Sequence, residues 1–192
     1  MTAMIVGLAI FLGVHSTRIF ADDWRSAQVA RRGEVTWKIG YSVLSVIGFV
    51  VLVWGYGEAR STQVNLWSPP LWTRHAAALL TLPAFVLLAA AYVPGTRIKA
   101  AIGHPMVAGV KLWAIAHLLS NGRIADLILF GAILVWAVAS FTSSRRRDRI
   151  AGKTYAAGPV TRDLIAVGIG LAAWAAFAFD LHARLIGVAP FG

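Results

Sequence analysis

The chain has 192 residues, of which 58% are hydrophobic and 14% are charged, with a mean hydropathy of +0.70 and a formal net charge of +10. About a quarter of the residues in a typical soluble domain are charged, so this composition excludes that class and indicates an integral membrane protein. The absence of cysteine excludes disulfides, thiolate-held iron–sulfur clusters, covalent haem attachment and cysteine nucleophiles. Any haem bound here would be non-covalent.

Six apolar stretches approach the roughly 20 residues that a helix needs to cross a bilayer. In chain order they are 2–20, 36–56, 71–93, 105–120, 124–141 and 164–179. The loops between them are short, and we find no internal repeat, low-complexity tract or soluble domain. The sequence therefore predicts an all-α, polytopic membrane helical bundle with about six transmembrane helices, in a single domain over residues 1–192.

Basic residues are concentrated in alternate loops. The first, third and fifth loops hold 13 of the 18 lysines and arginines. These residues are Arg18, Arg25, Arg31, Arg32, Lys38, Arg97, Lys99, Arg145, Arg146, Arg147, Arg149, Lys153 and Arg162. Because basic loops face the cytoplasm, we expect a bacterial inner-membrane protein with both termini in the periplasm. The run SSRRRDR at 143–149 adjoins a span, so we expect contact with lipid headgroups and no nucleic-acid partner.

Ionisable side chains inside the predicted spans are costly, about 2.5 to 3.5 kcal/mol for a central lysine, and often mark function. Lys111 is such a residue, with snorkelling or a local contact as an equal alternative. Asp180 and Arg184 are spaced for a local salt bridge. His75 and His182 fall at the outer interface, where a solvated side chain is the simpler interpretation. The remaining candidates for chemistry are His15, His104 and His117.

The fourth span holds two of these histidines. His104 precedes Pro105, a residue favoured at the first helical position, so His104 is expected to cap this helix. A stripe at four-residue steps runs through the same span, formed by Gly109, Trp113, His117 and Asn121. An imidazole above an aromatic ring, with a small residue below, is suited to the wall of a flat cofactor. The alternative is an interhelical hydrogen bond of about 1 kcal/mol.

Four segments carry a family resemblance. The run GTRIKAAIGHPMVAGVKLWAIAHLLSNG, residues 95–122, resembles the hallmark of the bacterial NnrU family. The segments GVHSTRIFADDWR at 13–25, VLVWGYGEAR at 51–60 and LWSPPLWTRH at 66–75 agree with it. The family is associated with nitrite and nitric oxide respiration, as accessory membrane proteins. It is also similar to the 15-cis-zeta-carotene isomerase of plants and cyanobacteria, a membrane enzyme that binds haem b.

The resemblance implies haem b with an iron held by His15, which matches the early histidine of the isomerase, and by His117, which matches its AH histidine. His104 matches the HP histidine, which the isomerase also uses. Trp113 and Asn121 are expected to orient the ring nitrogens or the propionates. Denitrification reductases are the implied partners. Ala114 stands where the isomerase has a cysteine, which counts against the isomerase mechanism.

The predicted depths in the membrane are an independent check on this pair. At 1.5 Å per residue, His15 and His117 differ in depth by roughly 10 Å, so sharing one iron requires tilted helices or a tilted haem. On depth alone, His75 or His182 is an easier partner for His117. The sequence leaves open whether Gly168 and Gly170 pack within one chain or between two copies, and therefore whether the protein is a homo-oligomer.

Three functions remain open at this point. The first is a haem-binding accessory protein of nitrite and nitric oxide respiration, acting as a sensor or an electron carrier. The second is a haem-dependent cis-trans isomerase of a polyene lipid. The third is a structural membrane protein without a cofactor. The sequence does not decide whether the chain is an enzyme.

Overall fold

The computed structural model describes residues 1–61 and 65–191. Within these ranges the regular secondary structure is helical, apart from one isolated β-bridge between Asn65 and Arg123. The predicted all-α fold class is confirmed. In chain order the helices are α1 Thr2–His15, α2 Thr17–Phe20, α3 Asp22–Arg32, α4 Glu34–Ser61, α5 Trp72–Tyr92, α6 Arg97–Ile102, α7 Pro105–Ser120, α8 Ile124–Ile150, α9 Val160–Ala176, a π-helical turn Phe177–Leu181 and α10 His182–Ile186.

Four helical segments are long and apolar enough to cross a membrane: α4, α5, α8 and the continuous segment Val160–Ile186. The other two predicted spans form α1 and α7, which are apolar but shorter, with 14 and 16 residues. At 1.5 Å per residue these two helices reach about 21 and 24 Å, less than the roughly 30 Å thickness of a hydrocarbon core. The first predicted span also ends earlier than expected, at His15 and not at residue 20.

The chain divides into two compact units. The first comprises Met1–Leu66 together with Arg123–Leu129, and in it α1 packs along α4. The second comprises Trp67–Gly122 together with Phe130–Gly192, and in it α5 packs against both α7 and α9.

Small residues allow the helices of the first unit to approach closely. A Cβ atom added at Gly48 of α4 would lie 2.8 Å from the backbone nitrogen of Phe11 in α1. Met4, Leu8 and Leu52 are buried in the same unit. This tight crossing brings the end of α1 that carries His15 against α4.

One face of α4 is apolar and exposed. Val43, Val46, Val50 and Val53 are each more than half exposed, and their spacing of three or four residues places them on one side of the helix. A soluble protein would bury such a stripe, whereas lipid accepts it. The exposed valines therefore agree with the assignment of α4 as a membrane span.

The first predicted loop contains a helix that the sequence interpretation missed. α3 has Asp22 and Asp23 in its first turn and Arg31 and Arg32 in its last, an order that favours the helix dipole. Its Trp24 ring lies edge-on to Trp37 of α4, with centroids 5.6 Å apart. A search for apolar stretches cannot find α3, because its residues are mostly charged or polar.

Candidate functional site

His117 lies in the second unit, against two aromatic rings. Its ring centroid is 4.6 Å from that of Trp113, one turn earlier on α7, and 4.5 Å from that of Phe130 on α8. Trp113 and Phe130 also meet edge-on at 5.1 Å. The contact between Trp113 and His117 is the one that their four-residue spacing predicts. Phe130 comes from a different helix and was not identified from the sequence.

The protonation of the His117 ring follows from its hydrogen bond. Its Nδ1 lies 2.9 Å from the backbone carbonyl oxygen of Trp113, and because a carbonyl oxygen only accepts, Nδ1 donates. In the neutral imidazole the lone pair is therefore on Nε2. Histidines that bind metals characteristically have this arrangement, since the bond at the second nitrogen fixes the ring and raises its basicity.

Asn121 supports the end of α7 that carries His117. Its side-chain nitrogen donates to the backbone carbonyl of His117 at 2.9 Å, and to the hydroxyl of Ser120 at 3.3 Å. The last carbonyls of a helix lack intrahelical partners, and the Asn121 side chain is the partner of the His117 carbonyl. The sequence predicts that Asn121 orients a cofactor, whereas its observed contacts are with the His117 carbonyl and the Ser120 hydroxyl.

His182 approaches His117 within the second unit. The two ring centroids are 6.4 Å apart, with 33° between the ring planes. The Nδ1 of His182 donates to the carbonyl oxygen of Val188 at 2.7 Å, which places the neutral lone pair on Nε2 here too. The sequence suggested only a solvated side chain for His182. The contact with His117 joins residues far apart in sequence, and the bond to Val188 depends on the turn after α10, so local spacing indicates neither.

His15 lies in the first unit and lines an open groove. The groove has a volume of about 290 Å³. Its lining residues are Phe11, His15, Tyr41, Ser42, Ser45, Val46 and Phe49. The His15 ring centroid lies 4.3 Å from that of Phe11 and 5.3 Å from that of Tyr41, and its Nδ1 donates to the Phe11 carbonyl at 2.7 Å.

His15 and His117 thus have the same local environment, each in its own unit. Both are preceded four residues earlier by an aromatic residue whose backbone carbonyl accepts the Nδ1 proton. Both also meet a second aromatic ring from another helix. The aromatic residue four positions earlier is visible in the sequence, but for His15 this signal was not used. The predicted sharing of one iron by these two histidines stays a prediction.

His104 occupies the predicted position at the start of α7, and its side chain bonds a distant carboxylate. It is the N-cap residue of α7, followed by Pro105, yet its side chain makes no capping bond. Instead its Nε2 lies 2.8 Å from a carboxylate oxygen of Asp148, which also accepts the Tyr155 hydroxyl at 2.9 Å. The prediction that His104 caps this helix is therefore confirmed by its position, while its side chain bonds Asp148. Asp148 lies 44 residues further on, so local spacing could not indicate it.

Two other sequence interpretations are decided by local contacts. The Lys111 ammonium lies over the Phe141 ring, 3.7 Å from its centroid, which confirms the local alternative for that residue. Arg184 pairs with Asp180 at 2.6 Å, as their spacing predicted. The His75 side chain is exposed. None of these three features requires a cofactor.

Asp148 is expected to stabilise the fold without contributing to cofactor binding. The side chains of His104 and Asp148 are only 22% and 13% exposed, so Asp148→Ala removes a shielded acceptor of two donors. We expect a loss of about 1–3 kcal/mol in the free energy of unfolding, measured by denaturation in detergent. The exposed Asp23→Ala is the matched control. Equal stability of the two variants would contradict a structural role for this cluster.

A metal ion that is held by protein side chains alone needs several ligands close together. Among residues 1–61 and 65–191, no three His, Cys, Asp or Glu side chains are grouped so as to hold a metal ion. Structural zinc sites need about four protein ligands and catalytic ones about three. Haem iron, whose four in-plane ligands belong to the macrocycle, needs only one or two from the protein.

Together the apolar spans and the all-helical fold define a polytopic helical membrane protein. A family model described as NnrU protein matches residues 3–190, nearly the whole chain. The chain belongs to the NnrU family. No curated protein and no solved structure matches it.

Proposed function

We propose that this chain is a haem b-binding membrane protein with His117 as an axial ligand of the iron. The observation that carries the proposal is the hydrogen bond from Nδ1 of His117 to the Trp113 carbonyl, which places the lone pair of the neutral ring on Nε2, the nitrogen that would coordinate iron. The rings of Trp113 and Phe130 hold the imidazole in this orientation.

The surroundings of His117 also suit a porphyrin. Trp113 and Phe130 offer flat apolar faces, and Ala114 and Ala116 are fully buried beside them on α7. A porphyrin is a flat apolar ring that gains stability when such side chains cover it. Partial burial of the imidazole among aromatic rings would also lower the solvent exposure of a bound iron, one of the factors that set its reduction potential.

Two histidines are candidates for the second axial position. The family resemblance assigns it to His15, whose Nδ1 is fixed by a carbonyl in the same way as that of His117. The second candidate is His182, which lies in the same unit as His117. Either choice gives an iron with two imidazoles, an arrangement that supplies electron transfer or ligand-gated sensing, since no position stays open for oxygen chemistry.

The family's association with nitrite and nitric oxide respiration gives this site a biological setting. We propose an accessory role in denitrification, as a sensor of nitric oxide or as an electron carrier to a reductase, in the bacterial inner membrane with both termini periplasmic. Polyene isomerisation is less favoured, because Ala114 has no thiol with which to replace an imidazole on iron.

A complementation experiment tests the accessory role. A strain of the host that lacks this chain is expected to grow more slowly on nitrite and to accumulate nitric oxide. A plasmid copy of the wild type should restore both, whereas a His117→Ala copy of equal abundance should not. Indistinguishable growth and nitric oxide levels in the deletion strain and its parent would contradict the role in denitrification.

A further inference from the structure

We propose that His182 supplies the second axial imidazole to the iron bound by His117, so that the second unit alone provides both protein ligands. This inference rests on the proposed haem site. It adds a ligand that the family resemblance does not assign, and it makes His15 dispensable for the coordination of that iron.

The separation of the two rings is the first argument. Their centroids are 6.4 Å apart. Two imidazoles on opposite sides of one metal atom, each bonded at about 2.0 Å through a ring nitrogen, have their ring centres roughly 6 Å apart. Direct stacking of two rings brings centroids much closer, as between His117 and Phe130 at 4.5 Å. The spacing of His117 and His182 is therefore wide enough for a pair that shares an atom.

The hydrogen bonds of both rings are the second argument. His117 uses Nδ1 to bond the Trp113 carbonyl, and His182 uses Nδ1 to bond the Val188 carbonyl. Each neutral ring therefore has its lone pair on Nε2, the nitrogen that coordinates when Nδ1 is bonded to the backbone. Both rings therefore have the tautomer that a bis-histidine site requires.

The backbone around His182 is unusual in a way that supports a function. The π-helical turn Phe177–Leu181 comes immediately before it, and such turns are rare and often occur at functional sites. After it, α10 ends at Gly187, whose φ of +76° is a conformation that favours glycine. This turn brings the Val188 carbonyl back to within 2.7 Å of the His182 ring.

His117 and His182 both lie near the end of a helix. His117 is three residues from the end of α7, and His182 is four residues from the end of α10. Their observed contact places these two helix ends at the same level.

The test compares three single variants, His182→Ala, His15→Ala and the exposed control His75→Ala, purified in detergent from cells supplied with haem. The readouts are the haem-to-protein ratio and the spin state from visible and electron paramagnetic resonance spectra. We expect the wild type, His15→Ala and His75→Ala to be low-spin with two axial imidazoles. We expect His182→Ala to retain haem on His117 in a high-spin form, which added imidazole converts back to low-spin.

A second substitution guards against misfolding of the alanine variant. His182→Met keeps a side chain of similar length and offers a thioether sulfur, so it should remain low-spin with a higher reduction potential than the wild type. Replacement of a ring that only packs would change neither spin state nor potential.

The outcomes separate the two proposals. A low-spin His182→Ala protein together with a high-spin His15→Ala protein would overturn the assignment of His182 while leaving the proposed haem function intact. A wild-type protein that binds no haem would overturn both.

Discussion

A His117→Ala variant is expected to lose its haem. The substitution removes the coordinating nitrogen together with the ring that Trp113 and Phe130 hold in place. Removal of groups that only orient a metal ligand costs about 10–100-fold in affinity, so loss of the ligand itself should cost at least as much. The haem-to-protein ratio of the purified variant, measured by the pyridine haemochrome method, should fall at least about tenfold.

The control for this prediction is His75→Ala. His75 is also a histidine on a helix of the second unit, but its side chain is exposed. The His75→Ala variant should therefore have the same haem content as the wild type. Retention of haem by His117→Ala at the level of His75→Ala would show that His117 is not the essential ligand.

The second unit is expected to be less stable in a Gly170→Leu variant. A Cβ atom at this buried position would lie 2.6 Å from the Cα of Val86 on α5, and a helix backbone cannot move aside without separating α9 from α5. Ala89, Ala90 and Ala166 are buried in one cluster between these same helices. Overpacking of this kind costs about 1–3 kcal/mol, measured as the free energy of unfolding in detergent. Because α9 leads through the π-helical turn to His182, the low-spin fraction of bound haem should fall as well.

Gly168→Leu is the matched control on the same helix. Gly168 is exposed and a Cβ atom there meets no other atom within 4 Å, so the substitution should leave stability unchanged. Equal destabilisation by both substitutions would mean that the cost arises from glycine replacement in α9 in general and not from contact with α5.

The helical fold could be predicted because bilayer thickness sets the length of apolar stretches and requires the backbone to bond within each segment. All six predicted stretches are helical. The sequence left open whether Gly168 and Gly170 pack within one chain or between two copies. Gly170 packs against Val86 of the same chain. α3 was missed because its sequence is charged. The early end of α1 was missed because Ile19 and Phe20 are apolar, which extended the predicted stretch past Ser16, Thr17 and Arg18.

The candidate site could be predicted only where it depends on local spacing. The pair Trp113 and His117 is four residues apart, and helical geometry alone brings the two rings together. The bond between His104 and Asp148 and the approach of His182 to His117 join residues 44 and 65 positions apart. Such contacts depend on how helices pack, which one sequence does not specify. The π-helical turn before His182 likewise has no recognisable signature in FAFDL.

Haem binding is tested directly on the wild-type protein purified from cells supplied with haem. The measurements are the visible spectrum of the reduced protein and a pyridine haemochrome assay. We expect a Soret band, sharp α and β bands of a bis-imidazole iron, and about one haem b for each chain. A well-folded but colourless protein would contradict this expectation.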